Sequence, residues 1–88
     1  MGSYKTEILH SAEKEARKIN KEHLKRIVDV IDALSENPFP KHAKKLAGSR
    51  SSYRIRTRDY RILYEVSKPD KVITIFHILH RKNAYRKS

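Results

Sequence analysis

Apolar and polar residues recur with two different periods along this chain, and each change of period marks an element. Leu24, Ile27, Val28, Ile31 and Leu34 are spaced by steps of three and four. That spacing lines one side of a helix, predicted from about Lys21 to Glu36 with lysine and arginine on its outer side. Upstream, Ala12, Ala16 and Ile19 share one side of a shorter helix. Ser11 is its expected N-cap, and Glu13 and Glu15 suit the positive end of its dipole. Asn20 separates the two helices. Asn37-Pro38-Phe39-Pro40 ends the second one, because proline lacks the N–H donor and pushes its predecessor out of the helical region.

The rest of the chain reads as strands. A short first strand is predicted over 4–9, with Ile8 and Leu9 as its apolar part. The stretch 53–66 carries the clearest alternation: Tyr53, Ile55 and Thr57 point one way, and Arg54, Arg56 and Arg58 the other. Asp59 is a turn-former, and Tyr60, Ile62, Tyr64 and Val66 form a second alternating set, so two antiparallel strands joined near 57–60 are expected. Lys68-Pro69-Asp70-Lys71 is a turn by composition. Residues 72–79 are apolar on both parities, as a central strand covered on both faces reads. Residues 41–50 read as a basic linker anchored by Leu46, with a turn at Gly48-Ser49. The predicted order is strand, helix, helix and three strands, with a short C-terminal tail or helix. This is an α+β fold: a small, twisted, mostly antiparallel sheet with a helical hairpin on one face and arginines on the other.

Composition adds a partner class. The 88 residues are expected to make one domain, with Met1, Gly2 and Ser3 left out of the reading. Lys and Arg total 21 against 10 Asp and Glu, a net charge of +11 that attracts polyanions. Nucleic acid, the ribosome or an acidic protein fit this charge better than a membrane. Cysteine is absent, which removes disulfides, thiolate chemistry and Cys-based zinc sites, and fits a reducing cytosol. No apolar run approaches the length of a membrane span. Neither a Gly-rich phosphate loop nor a metal-ligating motif is present, so no cofactor and no metal are expected.

What remains is cationic. Arginines at alternate strand positions stand about 7 Å apart on one face; they either solvate the sheet or hold an anion. His80-Arg81, followed by Tyr85, leaves the last strand. If that strand lies beside the hairpin, Arg81 and Tyr85 converge with Arg54, Arg56 and Arg61. Guanidinium groups pair with phosphate through two hydrogen bonds, and a tyrosine ring stacks on an unpaired base. The bland alternatives are a surface His80 and a Tyr85 ring packed on the sheet edge. Lys41, Lys44, Lys45, Arg50, Arg58, Lys82, Arg86 and Lys87 form a wider electrostatic footprint for RNA or the ribosome.

Tyr53-Arg54-Ile55-Arg56, Tyr60-Arg61-Ile62-Leu63-Tyr64-Glu65-Val66 and His80-Arg81-Lys82-Asn83-Ala84-Tyr85-Arg86 together resemble the RelE toxins of the RelE/ParE superfamily. So do Asn37-Pro38 closing the second helix and Lys45-Leu46-Ala47-Gly48 before the hairpin. The resemblance implies a toxin of a type II toxin–antitoxin pair that cuts messenger RNA in the ribosomal A site without a metal. It implies a RelB-like antitoxin as partner, with DNA contacted only through the antitoxin complex. It places phosphate binding on Arg54, Arg56 and Arg61, the bracing of the leaving oxygen on Arg81, and base stacking on Tyr85. Family members often carry lysine where this chain has Arg54 and Arg56, and arginine does not release its proton. His80 is the expected proton-transfer group, with an ordinary pKa near 6.5. The alternatives are a ParE-like inhibitor of DNA gyrase, a non-catalytic basic nucleic-acid-binding module, and an inactivated toxin.

Overall fold

A computed structural model describes residues 3–82. Its elements in chain order are β1 (Lys5–Ile8), α1 (His10–Arg17), α2 (Lys21–Glu36), β2 (Lys44–Lys45), β3 (Ser52–Thr57), β4 (Tyr60–Ser67) and β5 (Val72–His80). They form one five-stranded sheet in the order β1-β5-β4-β3-β2. β1 runs parallel to β5, and every other pair is antiparallel. The α+β architecture follows the apolar pattern of the chain, but the central strand is β4, with β5 beside it and flanked by β1 along its first half only.

The core lies between the helices and one sheet face. Ala12 comes from α1 and Ile27, Ile31 and Leu34 from α2; Ile55, Ile62, Tyr64, Val66, Ile73, Ile75 and Ile78 come from the sheet. Val28, expected on the buried stripe of α2, is 44% exposed. Helix and sheet touch along a narrower line than the sequence stripe suggests, and Ile27, Ile31 and Leu34 fill it. Asn20 caps α2, its Oδ1 accepting the His23 N–H at 3.4 Å. Pro38 past its end is buried, and its carbonyl accepts the Tyr64 hydroxyl at 2.8 Å. That hydroxyl is held neutral: burial, with Tyr53 beside it, pushes the Tyr64 pKa up to about 12.

Three expectations are corrected. The first helix is capped at Leu9, not Ser11. β1 ends opposite Ile75, so among the described residues the edge of β5 beyond that point has no neighbouring strand. α1 satisfies it instead: the Ser11 hydroxyl donates to the Phe76 carbonyl at 2.8 Å, and Glu15 accepts the Ile78 N–H at 2.8 Å. Such cover is one way to protect a sheet edge. Ile8 and Leu9, in turn, are about half exposed rather than core. Last, the basic linker contains β2. The Ala43 N–H donates to the Pro40 carbonyl at 3.0 Å, and this turn brings Lys44 opposite Arg54 and Lys45 opposite Tyr53.

A β-bulge interrupts the pairing of β4 with β5. Tyr64 pairs with Ile75 but Leu63 pairs with His77, so Phe76 is an extra residue on β5. The bulge shifts the side-chain parity of β5 by one.

Candidate functional site

Cross-strand partners share a face, so the register fixes what lies on the sheet surface away from the helices. One line across the strands reads Lys44, Arg54, Leu63 and His77; the next reads Arg56, Arg61 and Leu79. Arg56 and Arg61 are directly opposite each other, and Lys44 is directly opposite Arg54. Arg54 and Arg56 are exposed on β3 near the sheet edge. Arg61 is 5% exposed, because β4 lies inside the sheet between β3 and β5. A buried guanidinium needs hydrogen-bonding or ionic partners, and its aliphatic stem suits the apolar register neighbours Leu63 and Leu79.

The turn over residues 40–43 closes one side of this surface. Lys41, His42, Lys44, Arg54 and Arg56 line a concavity of about 400 Å³. Among the described residues no carboxylate belongs to that lining. Such a pocket offers several N–H donors to an anion such as phosphate. At the far end of the row, the Arg81 N–H donates to the Asp59 carbonyl at 2.6 Å. Arg81 is thereby fixed beside the β3–β4 turn, at the end of the sheet that carries Arg56 and Arg61.

The fold therefore brings Lys41, Lys44, Arg54, Arg56 and Arg61 to one face and anchors Arg81 at its end. Several other expected residues are placed elsewhere. Arg58 does not continue the arginine row of β3: it occupies the hairpin turn with φ 57° and borders a groove with Glu22, Lys25 and Asp29 of α2. A two-residue hairpin loop demands positive φ, and this takes Arg58 out of the alternation. Lys45 shares the face of Tyr53, with its Nζ 6.0 Å from the ring centroid. Arg50 joins it around a separate concavity with Phe39, Tyr53 and Lys68. Lys82 is exposed after the last strand. Tyr85, Arg86 and Lys87 lie outside the described residues.

His80 is the main correction. It pairs with Tyr60 and shares a face with Ile78 and Ile62, the helical side of the sheet. Its ring packs edge-on to Tyr60 at 5.2 Å, and its Nδ1 accepts the Lys82 N–H at 3.2 Å. The ring faces away from the arginine row and caps the chain as it leaves β5. The sequence reading missed His42, which the turn over residues 40–43 carries to the pocket; the prolines at 38 and 40 are the signal that the chain turns back here. Among the described residues no group of three or more His, Asp or Glu could hold a metal ion, and no helix is long and apolar enough to cross a membrane.

Comparison with known proteins identifies the family and agrees with the fold. Residues 6–85 match the model of the ParE toxin of the type II toxin–antitoxin system parDE. The protein of Methanocaldococcus jannaschii named "Putative toxin RelE1" is 33% identical over 86 residues, covering 94% of this chain and 96% of that protein. The archaeal RelE–RelB complex from Pyrococcus horikoshii superposes with a TM-score of 0.82 at 31% identity, over 97% of this chain and 99% of that one. The isolated RelE toxin of E. coli shares the fold, with a TM-score of 0.82 at 22% identity over 94% of this chain and 89% of the other.

Proposed function

The chain belongs to the RelE/ParE superfamily of type II toxin–antitoxin systems and is a RelE-like toxin, and from that premise we propose that it is a metal-independent endoribonuclease that cuts messenger RNA in the ribosomal A site. The observation that carries the reading is the Arg56–Arg61 cross-strand pair, with Arg54 and Lys44 in the adjoining line and, among the described residues, no carboxylate in the pocket beside them. Like charges directly opposite on a sheet are unfavourable. Held there by the fold, they suit a bound polyanion.

In this reaction the 2′-OH of one nucleotide attacks the adjacent phosphorus. The P–O5′ bond breaks, leaving a 2′,3′-cyclic phosphate and a 5′-OH. Arg54, Arg56 and Arg61 bind the scissile phosphate and stabilise the extra negative charge of the transition state, where losing one donor costs roughly 10²–10³ in rate. Arg81 steadies the departing O5′, and Tyr85 stacks on a base. Lys41 and Lys44 hold the flanking backbone. The solved relatives from Pyrococcus horikoshii and Methanococcus jannaschii are RelE–RelB complexes; a RelB-like antitoxin that masks the cationic face is the matching partner here, and DNA is reached through it.

A second reading, inhibition of DNA gyrase, is favoured by the ParE description of the matching family model. Primer extension on messenger RNA in a translating extract, run beside a supercoiling assay, separates the two. The nuclease reading expects ribosome-dependent cuts within codons that vanish with Arg61→Ala and Arg81→Ala, and unaffected supercoiling. Blocked supercoiling without cuts would replace it with the gyrase reading.

A further inference from the structure

We propose that His42 is the base that takes the proton from the attacking 2′-OH; this rests on the nuclease reading. The reaction needs a proton acceptor at the phosphate, and arginine cannot serve, because it stays protonated at any pH a protein tolerates. Histidine is the side chain whose ordinary pKa suits the task near neutrality.

The chain has five histidines, and the fold disposes of four. His10 projects from α1 beside Glu13, at 3.7 Å. His23 and His80 both pack on Tyr60, on the helical side. His77 shares the arginine face, but its Nδ1 is held 3.1 Å from Glu15. It also lies two strands from Arg54, about 10 Å by strand spacing.

His42 is placed differently. It lines the cationic pocket with Lys41, Lys44, Arg54 and Arg56. It also borders a second cavity of about 180 Å³, walled by Val30, Ala33, Leu34, Pro40 and Ile55 with Asn37. His42 thus lies between an apolar recess and the cationic concavity. Among the described residues no carboxylate lines either cavity, so no ion pair competes for its ring nitrogens.

The step balances. The 2′-OH proton passes to a ring nitrogen of His42 as the O2′ electron pair forms the O2′–P bond. The P–O5′ bond breaks, O5′ takes a proton from water, and the imidazolium returns its proton to solvent. Arg54 and Arg56, on the same pocket wall, hold the phosphate against the forming bond.

The test is single-turnover cleavage of messenger RNA on programmed ribosomes, from about pH 6 to about pH 8, across the range where histidine ordinarily titrates. Wild type, His42→Ala, His42→Gln and Arg61→Ala are compared, with RNA affinity and thermal melting measured for each. Wild type should show a rate that rises with pH. His42→Ala should lose roughly 10²–10⁴ in rate, lose that acid limb, and bind RNA as before. Added imidazole should restore part of its activity. His42→Gln, which cannot take up the proton, should fall equally.

Cleavage by His42→Ala at the wild-type rate with the wild-type pH profile overturns the role of His42 and leaves the nuclease reading standing. So does a rate loss matched by an equal loss of RNA affinity with the acid limb intact, which would make His42 a binding residue. No cleavage by folded wild type overturns both.

Discussion

Removing one arginine from the row should stabilise the fold and weaken the function, and Arg56 is the position to remove. Arg56 faces Arg61 directly across β3 and β4, and one line away Lys44 faces Arg54. Directly opposed like charges destabilise a sheet by about 0.2–1 kcal/mol per pair. Coulomb's law gives a similar figure, about 0.6 kcal/mol at about 7 Å in a water-like dielectric. Arg56 is exposed but Arg61 is buried, so the water-like value is the floor for this pair. Arg56→Gln relieves its repulsion with Arg61 and with Arg54, its neighbour two residues along the same strand, a gain of about 0.5–1 kcal/mol. For a domain of this size that raises Tm by about 2–8 °C.

Salt makes the test specific. At about 20 mM salt the screening length exceeds the spacing of the charges, and at about 0.5 M it falls below it. Thermal melts followed by circular dichroism should therefore show Arg56→Gln above wild type at low salt and level with it at high salt. Inorganic phosphate should stabilise wild type more than the variant, while cleavage by the variant falls by about 10²–10³. A variant less stable than wild type at low salt, or a difference indifferent to salt, would refute the reasoning. The arginines would then be held by the fold for stability and not for an anion.

Other outcomes rest on named contacts. Tyr64→Phe leaves the buried Pro38 carbonyl without its donor and should cost about 1–3 kcal/mol in urea unfolding at neutral pH; no change would mean the hydroxyl contributes nothing. Tyr64 ionises at 10.0 when unfolded but at about 12 when folded, so its share of stability is full below pH 10 and is lost as pH rises towards 12. The wild-type stability should thus fall more steeply over that interval than that of Tyr64→Phe; parallel curves would contradict it. Glu15→Ala frees the Ile78 N–H and His77 at the open edge of β5 and should cost about 1–3 kcal/mol, with Glu15→Gln recovering part because it keeps an acceptor for the N–H. Gly48→Ala meets no atom within 4 Å, so its penalty is that of a positive φ alone, about 1–2 kcal/mol by urea unfolding.

The elements with regular periods were legible in the sequence: the α2 stripe, the β3–β4 alternation and the doubly apolar β5. Each is dictated by which side chains can reach a buried face. What escaped depends on partners distant in the chain. Ser11 looked like a cap because its local sequence allows it, yet Phe76, 65 positions on, decides where its hydroxyl bonds. β2 is two lysines long, too short for any pattern, and exists because the turn after Pro40 lays it against β3. Arg58 obeyed the alternation on paper, but a two-residue hairpin turn overrode it.

The proton-transfer residue turns on a single extra residue. With unbroken alternation from the Tyr64–Ile75 pair, Arg61 would face Ile78, and His80, two residues on, would lie on the arginine side. The bulge at Phe76 moves the register so that Arg61 faces Leu79 and Tyr60 faces His80. His77 thereby joins the arginine face and His80 leaves it for the helical side, the full consequence of a one-residue slip in a period of two. A run that is apolar on both parities hides such a bulge, because Phe76 suits either face. The same shift takes the Ile78 N–H out of the ladder and gives it to Glu15, which also holds His77. β5 thus supplies no unpartnered imidazole to the arginine face, which is why the base proposed for the nuclease reaction is the one at the opposite edge, where the turn before β2 sets His42 against Arg54 and Arg56.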